Sequence, residues 1–229
     1  MKSPHKISCL IPFFNEGERL FSVLKFVTKI PEISQVICID DGSSDNISSE
    51  IEDRWPTVDL ICLQKNEGKS SAIRHGLQAA KYDYVLLMDA DLQFLNFCEI
   101  ENAIQTVYDQ NFIDMLILRR IKAPWYFKID RRDVLFSGER ILRKNDLEDI
   151  LKDEVWGYQL EIAINRYMIR NQKVVRWIPW SASNTHKAKK WGFFYGFKKE
   201  ILMFQDMIVY GGVMQYLLQI LIFARKRIE

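Results

Sequence analysis

A short apolar run, Tyr84-Val85-Leu86-Leu87-Met88, stops abruptly at two carboxylates one residue apart, Asp89 and Asp91. A run of this length without polar interruption reads as a strand covered on both faces, as in a parallel sheet flanked by helices. The carboxylates then fall at its C-terminal end, where open α/β sheets bind their ligands. Two such groups repel each other unless a cation or hydrogen-bond donors offset their charge, and their hard oxygens suit Mg²⁺ or Mn²⁺. Gln93, two residues on, adds a neutral oxygen.

The preceding chain repeats the pattern. Residues 7–12 read as a first strand stopped by Pro12, followed by the loop Phe13-Phe14-Asn15-Glu16 and a helix over 18–30. A second strand over 35–40 runs into Asp40-Asp41-Gly42-Ser43-Ser44-Asp45 and a helix ending near Trp55. A third over 59–64 leads to Asn66-Glu67-Gly68-Lys69 and a helix over 70–80. Alternation at this spacing implies right-handed βαβ units, so the strand ends gather Asn15, Glu16, Asp40, Asp41, Lys69, Asp89 and Asp91 on one edge.

A helix over 97–110 and a strand over 114–118 continue the pattern, which then changes. Arg119, Arg120, Lys122, Lys128, Arg131 and Arg132 alternate with Trp125, Tyr126 and Phe127, a composition suited to phosphates or an anionic membrane. Helices are expected over 135–144 and 157–171, with Glu161 near the start of the second, then a strand over 174–179 and a polar loop holding Asn184 and His186. From 201 to 223 the chain is apolar but carries Gln205, Asp206, Gln215 and Gln219, and it ends Arg225-Lys226-Arg227. Its embedded polar groups disfavour a membrane span, and an amphipathic helix in the membrane interface or against a partner is expected; a core or dimer helix is the alternative.

The 229 residues suffice for one sizeable core, and 32 basic against 30 acidic side chains give no overall attraction to nucleic acid. Cys9, Cys38 and Cys62 lie in strand-like runs and read as buried thiols of a reducing compartment. With no N-terminal signal pattern, a cytoplasmic chain is expected, with peripheral attachment to the cytoplasmic face of the membrane.

Four segments, Ile11-Pro12-Phe13-Phe14-Asn15-Glu16, Ile39-Asp40-Asp41-Gly42-Ser43-Ser44-Asp45, Asn66-Glu67-Gly68-Lys69 and Met88-Asp89-Ala90-Asp91-Leu92-Gln93, together resemble family 2 glycosyltransferases of the GT-A fold, in particular the dolichol-phosphate mannose synthase and polyprenyl-phosphate sugar transferase branch. The resemblance implies a Rossmann-like, mostly parallel α/β sheet flanked by helices. It divides the chain into a GT-A domain over 1–200, with a nucleotide-binding half (1–95) and an acceptor half (96–200), and a C-terminal amphipathic helix over 201–229. It also implies that Pro12, Asn15, Glu16, Asp41, Lys69 and Asp89 line the pocket for a UDP- or GDP-sugar, and that Asp91 holds the metal with Asp89, Gln93 and His186 as further ligands.

Two acceptors remain open. A hydroxyl must lose its proton as it attacks, which calls for a carboxylate such as Glu161. A polyprenyl or dolichyl phosphate is already an oxyanion and needs cations, for which Arg119, Arg131 and Arg132 are the candidates; these cations favour the lipid phosphate. A receiver-like domain and a phosphatase with its carboxylate pair on the first strand fit the order of motifs less well; a non-catalytic sugar-nucleotide-binding protein, which would keep the first half and lose the acceptor half, stays as an alternative.

Overall fold

The computed structural model describes residues 5–122, 128, 131–153, 159–184 and 212–228. Its centre is a seven-stranded sheet of order β3-β2-β1-β4-β7-β6-β8. The strands are β1 (Ile7–Phe13), β2 (Ile33–Asp40), β3 (Asp59–Cys62), β4 (Tyr84–Leu87), β6 (Met115–Arg120), β7 (Arg140–Arg143) and β8 (Val175–Trp180). A small separate pair joins β5 (Leu92–Gln93) to β9 (Ser183–Asn184). The helices are α1 (Arg19–Val27), α2 (Ile47–Arg54), α3 (Lys69–Ala79), α4 (Phe97–Asp109), α5 (Arg132–Leu135), α6 (Lys144–Ile150), α7 (Gln159–Arg170) and α8 (Val213–Ile222).

Side-chain alternation along the strands creates two apolar layers. On one face Cys9, Ile11 and Leu86 pack with Leu20, Val23, Leu24 and Val27 of α1 and with Ile100, Ile104 and Val107 of α4. On the other, Leu10, Val85 and Leu87 meet Ala72, Ile73 and Leu77 of α3 and Leu160, Ile164 and Met168 of α7. Covering on both faces explains why β1, β2 and β4 are nearly unbroken apolar runs. The parallel pairings β3-β2, β2-β1 and β1-β4 send their C-terminal ends to one edge, with Phe13 opposite Asp40 and Leu10 opposite Leu87.

The alternation breaks at β7. It runs antiparallel to both β4 and β6, pairing Leu87 with Arg140 and Ile117 with Arg140 from its two sides. The helix expected over 135–144 is therefore wrong: residues 140–143 are a central strand, whose buried Arg140 looks like a surface residue in the sequence. Arg140 is tolerated because its guanidinium donates to the carbonyls of Ser137 and Leu135 and, at 2.6 Å, to Asn165 Oδ1. Burial pulls its pKa down to about 10. Cys9 and Cys38 are buried as expected, whereas Cys62 is exposed on the edge strand β3.

The C-terminal segment packs on the domain. Phe223 and Ala224 are buried with the α7 face, and Ile228 N donates to Trp177 O at 3.0 Å, so the tail covers part of the β8 edge. Among the described residues no helix is long and apolar enough to cross a membrane.

Candidate active site

The loops at the C-terminal edge of the sheet are tied to one another in sequence order. In the first, Asn15 takes a positive φ of 52° and its Oδ1 accepts from Ser44 N at 2.8 Å, while its own N–H donates to Ser43 Oγ. In the second, buried Asp41 accepts from the N–H groups of Glu67 and Gly68 at 2.7 and 2.9 Å. Gly42 follows with φ of +74°, and a Cβ there would lie 2.6 Å from the Lys65 backbone, so the turn admits only glycine. Asp40 is buried too, accepting from Ser43 N and Ser48 Oγ. Asn15 and Asp41 thus build the loops they sit on. Pro12 and Glu16 stand half-buried beside them, with Glu16 paired to Arg19.

The third loop reaches the carboxylate pair. Lys69, the first residue of α3, points its Nζ between Asp89 Oδ1 at 2.9 Å and Glu161 Oε1 at 3.2 Å. This joins residues 92 positions apart and brings the candidate base next to the carboxylate motif. Arg120, at the end of β6, donates to Asp89 Oδ2 at 3.4 Å and forks onto Glu139 at 2.9 Å. Burial disfavours the Asp89 carboxylate, but the Lys69 and Arg120 charges outweigh it and hold its pKa well below the usual carboxylate range. Burial likewise opposes the Lys69 ammonium, and Asp89 and Glu161 overcome it, raising its pKa. Glu139 has no exposed surface, and burial pushes its carboxyl up.

Gly138 makes this packing possible, since a Cβ there would stand 3.0 Å from both Asp89 Oδ1 and Lys69 Nζ. Asn184 completes the cluster. Pairing of β5 with β9 sets Leu92 opposite Asn184, whose Nδ2 donates at 2.8 Å to both Asp89 Oδ2 and Asp91 Oδ1. Arg120, Glu139, Gly138 and Asn184 were not picked out as site residues from the sequence; a loose likeness of residues 136–140 to the family's acceptor half was the signal for Gly138 and Glu139, and the placing of β6, β7 and β9 brings all four to the site.

The residues fit a hard divalent cation at Asp91. Asp89 is paired with two protein cations; Asp91, which also lies in the field of Arg120, is buried beside Asn184, whose Oδ1 is buried and accepts no hydrogen bond. A carboxylate with a neighbouring amide oxygen is the donor chemistry of Mg²⁺ or Mn²⁺. Gln93 is exposed on β5, and His186 lies outside the described residues. Among the described residues no cluster of three His, Cys, Asp or Glu side chains forms.

Two of the three arginines assigned to an acceptor phosphate are engaged within the domain. Arg119 Nε binds the buried carboxylate of Asp133 at 2.5 Å, and its guanidinium lies over the Trp177 ring. Arg131 donates to the carbonyls of Ile220, Phe223 and Ala224, which finish α8. Arg132 begins α5, half-buried.

This fold and edge define the class of GT-A glycosyltransferases. The structure resembles glucosyl-3-phosphoglycerate synthase from Mycobacterium tuberculosis, solved with Mn²⁺, uridine diphosphate and phosphoglyceric acid, with a TM-score of 0.71 over 94% of this chain and 78% of that one at 16% identity. Within that class the chain belongs to glycosyl transferase family 2, whose profile matches residues 8–178. It is 39% identical over 88 residues to a poly-beta-1,6-N-acetyl-D-glucosamine synthase of Staphylococcus aureus (strain COL), across 37% of this chain. It is 37% identical over 97 residues, 39% of its length, to the undecaprenyl-phosphate 4-deoxy-4-formamido-L-arabinose transferase of Proteus mirabilis (strain HI4320). The chain covers only 21% and 30% of the lengths of these two relatives.

Proposed function

We propose that this chain transfers a sugar from a nucleoside-diphosphate sugar to an acceptor hydroxyl. The observation that carries the reading is Lys69 Nζ, shared between Asp89 of the strand-end motif and Glu161 of α7. It ties the donor-side carboxylates to a base on the acceptor side.

The loops around Pro12, Asn15, Glu16 and Asp41 supply short polar side chains and backbone groups for a base and ribose. Asp91 would hold Mg²⁺ or Mn²⁺, with Asp89, Gln93 and Asn184 as further oxygen donors. When bound, such a cation offsets charge on the departing nucleoside diphosphate. Lys69 and Arg120, both paired to Asp89, offset the carboxylates of the same pocket and so lower the negative charge a diphosphate would meet there. Glu161, oriented by Lys69, takes the acceptor's proton as its oxygen attacks the anomeric carbon, and the bond from that carbon to the diphosphate breaks.

A second reading, transfer to a polyprenyl phosphate, draws support from the 37% identity to an undecaprenyl-phosphate transferase. In that case Arg119 and Arg131 would have to leave Asp133 and the α8 carbonyls, which is why the hydroxyl acceptor is preferred. The test is to incubate the chain with UDP- and GDP-sugars, Mn²⁺ or Mg²⁺, and either saccharides or polyprenyl phosphate, and to follow nucleoside diphosphate and product by mass spectrometry. Product on a hydroxyl acceptor that disappears in Glu161→Gln supports the first reading. Product on the lipid phosphate that persists in that variant supports the second, and no diphosphate release with any donor overturns both.

A further inference from the structure

Helix α8 has two faces of different character. Tyr216, Gln219 and Ile220 turn inward: Tyr216 stacks on Phe136, and buried Gln219 accepts at 3.0 Å from Asn165, which is also bonded to Arg140. Arg131 fixes the C-terminal turn by its three carbonyl bonds. The outer face carries Met214, Leu217, Leu218, Leu221 and Ile222, all exposed, at 77%, 48%, 43%, 63% and 50% of their full surface. Their spacing of i, i+3, i+4, i+7 and i+8 makes one continuous apolar stripe on a helix the domain holds in place. A cluster of large apolar side chains displayed this way marks an interaction surface.

Charge says what meets it. At the end of the stripe a groove of about 380 Å³ has an apolar floor that includes Met168 and Phe223 and is rimmed by Lys173, Arg176, Arg225 and Lys226, with no carboxylate in its lining. Lys173 is paired with Asp114 and Asp146. The hydrogen bonds of Arg176 and Arg225 run to backbone carbonyls, Val175 O and Leu221 O, and among the described residues neither forms an ion pair. The helix itself, residues 213–222, carries no Asp or Glu, so its apolar stripe meets the basic rim of the groove without an acidic side chain between them.

We propose that the outer face of α8 and this groove dock on an anionic lipid surface, the apolar stripe entering the acyl boundary and Arg176, Arg225 and Lys226 meeting phosphate headgroups. Such a surface supplies apolar depth and negative charge side by side, which matches the layout of the stripe and the groove.

The test is vesicle co-sedimentation of the full chain without donor or metal, so that its failure leaves the proposed transfer reaction standing. Vesicles containing phosphatidylglycerol are expected to bind roughly 100-fold more tightly than phosphatidylcholine alone, three cations contributing about fivefold each, and added salt should erode the difference. The Leu217→Asn/Leu221→Asn pair and the Arg225→Gln/Lys226→Gln pair each lower binding at least tenfold while thermal melting confirms the fold. Equal binding to both vesicle types, full binding by either pair of variants, or a dimer that the Leu217→Asn/Leu221→Asn pair dissociates in analytical ultracentrifugation would overturn the proposal.

Discussion

Replacing Arg120 with methionine removes the cation that makes the site's most deeply buried carboxylate tolerable. Glu139 is fully buried, and Arg120 holds it with contacts of 2.9, 2.9 and 3.2 Å. At an effective dielectric of about 20, unit charges about 4 Å apart attract by roughly 4 kcal/mol. Removing one member of a buried pair costs about 3–5 kcal/mol, because the other charge is stranded. The Arg120 side chain is one-quarter exposed, so water screens part of the pair, and the loss falls near the bottom of that range, about 3 kcal/mol. In a chain of this size that lowers the melting temperature by roughly 6–12 °C.

The pH dependence follows from Glu139. Its native pKa is already raised by burial, and loss of Arg120 raises it further. A carboxyl whose folded pKa exceeds its unfolded value stabilises the fold below the unfolded pKa, and that contribution is lost as pH rises through the folded pKa. Arg120→Met is therefore expected to fall further below wild type at pH 8 than at pH 5. Thermal melts at both pH values read this directly, and adding Glu139→Gln, which removes the stranded charge, should recover more than half of the loss at pH 8. A variant that melts with wild type, or a double variant no more stable than the single, would show that Arg120 does not hold the Glu139 charge.

Gly138→Ala should lower turnover by about ten- to a hundredfold with little change in melting temperature, since its Cβ meets the Asp89–Lys69 pair at 3.0 Å and a small misplacement of reacting groups is costly. Arg131→Met strips donors from the Ile220 carbonyl of α8 and from the Phe223 and Ala224 carbonyls that follow it, and hydrogen exchange should show α8 opening more readily by about 1–3 kcal/mol while α3 keeps its protection. Glu161→Gln should reduce kcat on a hydroxyl acceptor by about 10²–10⁴ and leave the donor KM nearly unchanged, measured by diphosphate release.

The nucleotide half was legible because β1, β2 and β4 announce themselves as apolar runs, each followed by a polar loop at a sheet edge. The acceptor half was legible in part: α4, α7, β6 and β8 stand where expected, but β7 was missed. Arg140 sits in a central strand, and a charged residue there masks the apolar pattern of β7, whose neighbours at 135–144 then look helical. Arg119 and Arg131 were visible as cations, but their partners lie 14 and about 90 residues away in sequence, so a structural pairing and a free phosphate site look identical in one dimension. Asn184 was seen only as a polar loop residue, because its role depends on the β5-β9 pairing.

In the proposed reaction Asp91 holds a divalent cation needed to bind a nucleoside-diphosphate sugar. Isothermal titration of UDP- and GDP-sugars into the protein with Mn²⁺ and with chelator, for wild type and Asp91→Asn, tests it directly. Wild type is expected to bind a donor only with the metal, and Asp91→Asn to lose that binding although its melting temperature is retained. Equal affinity with Mn²⁺ and chelator, or undiminished metal-dependent binding by Asp91→Asn, would contradict it.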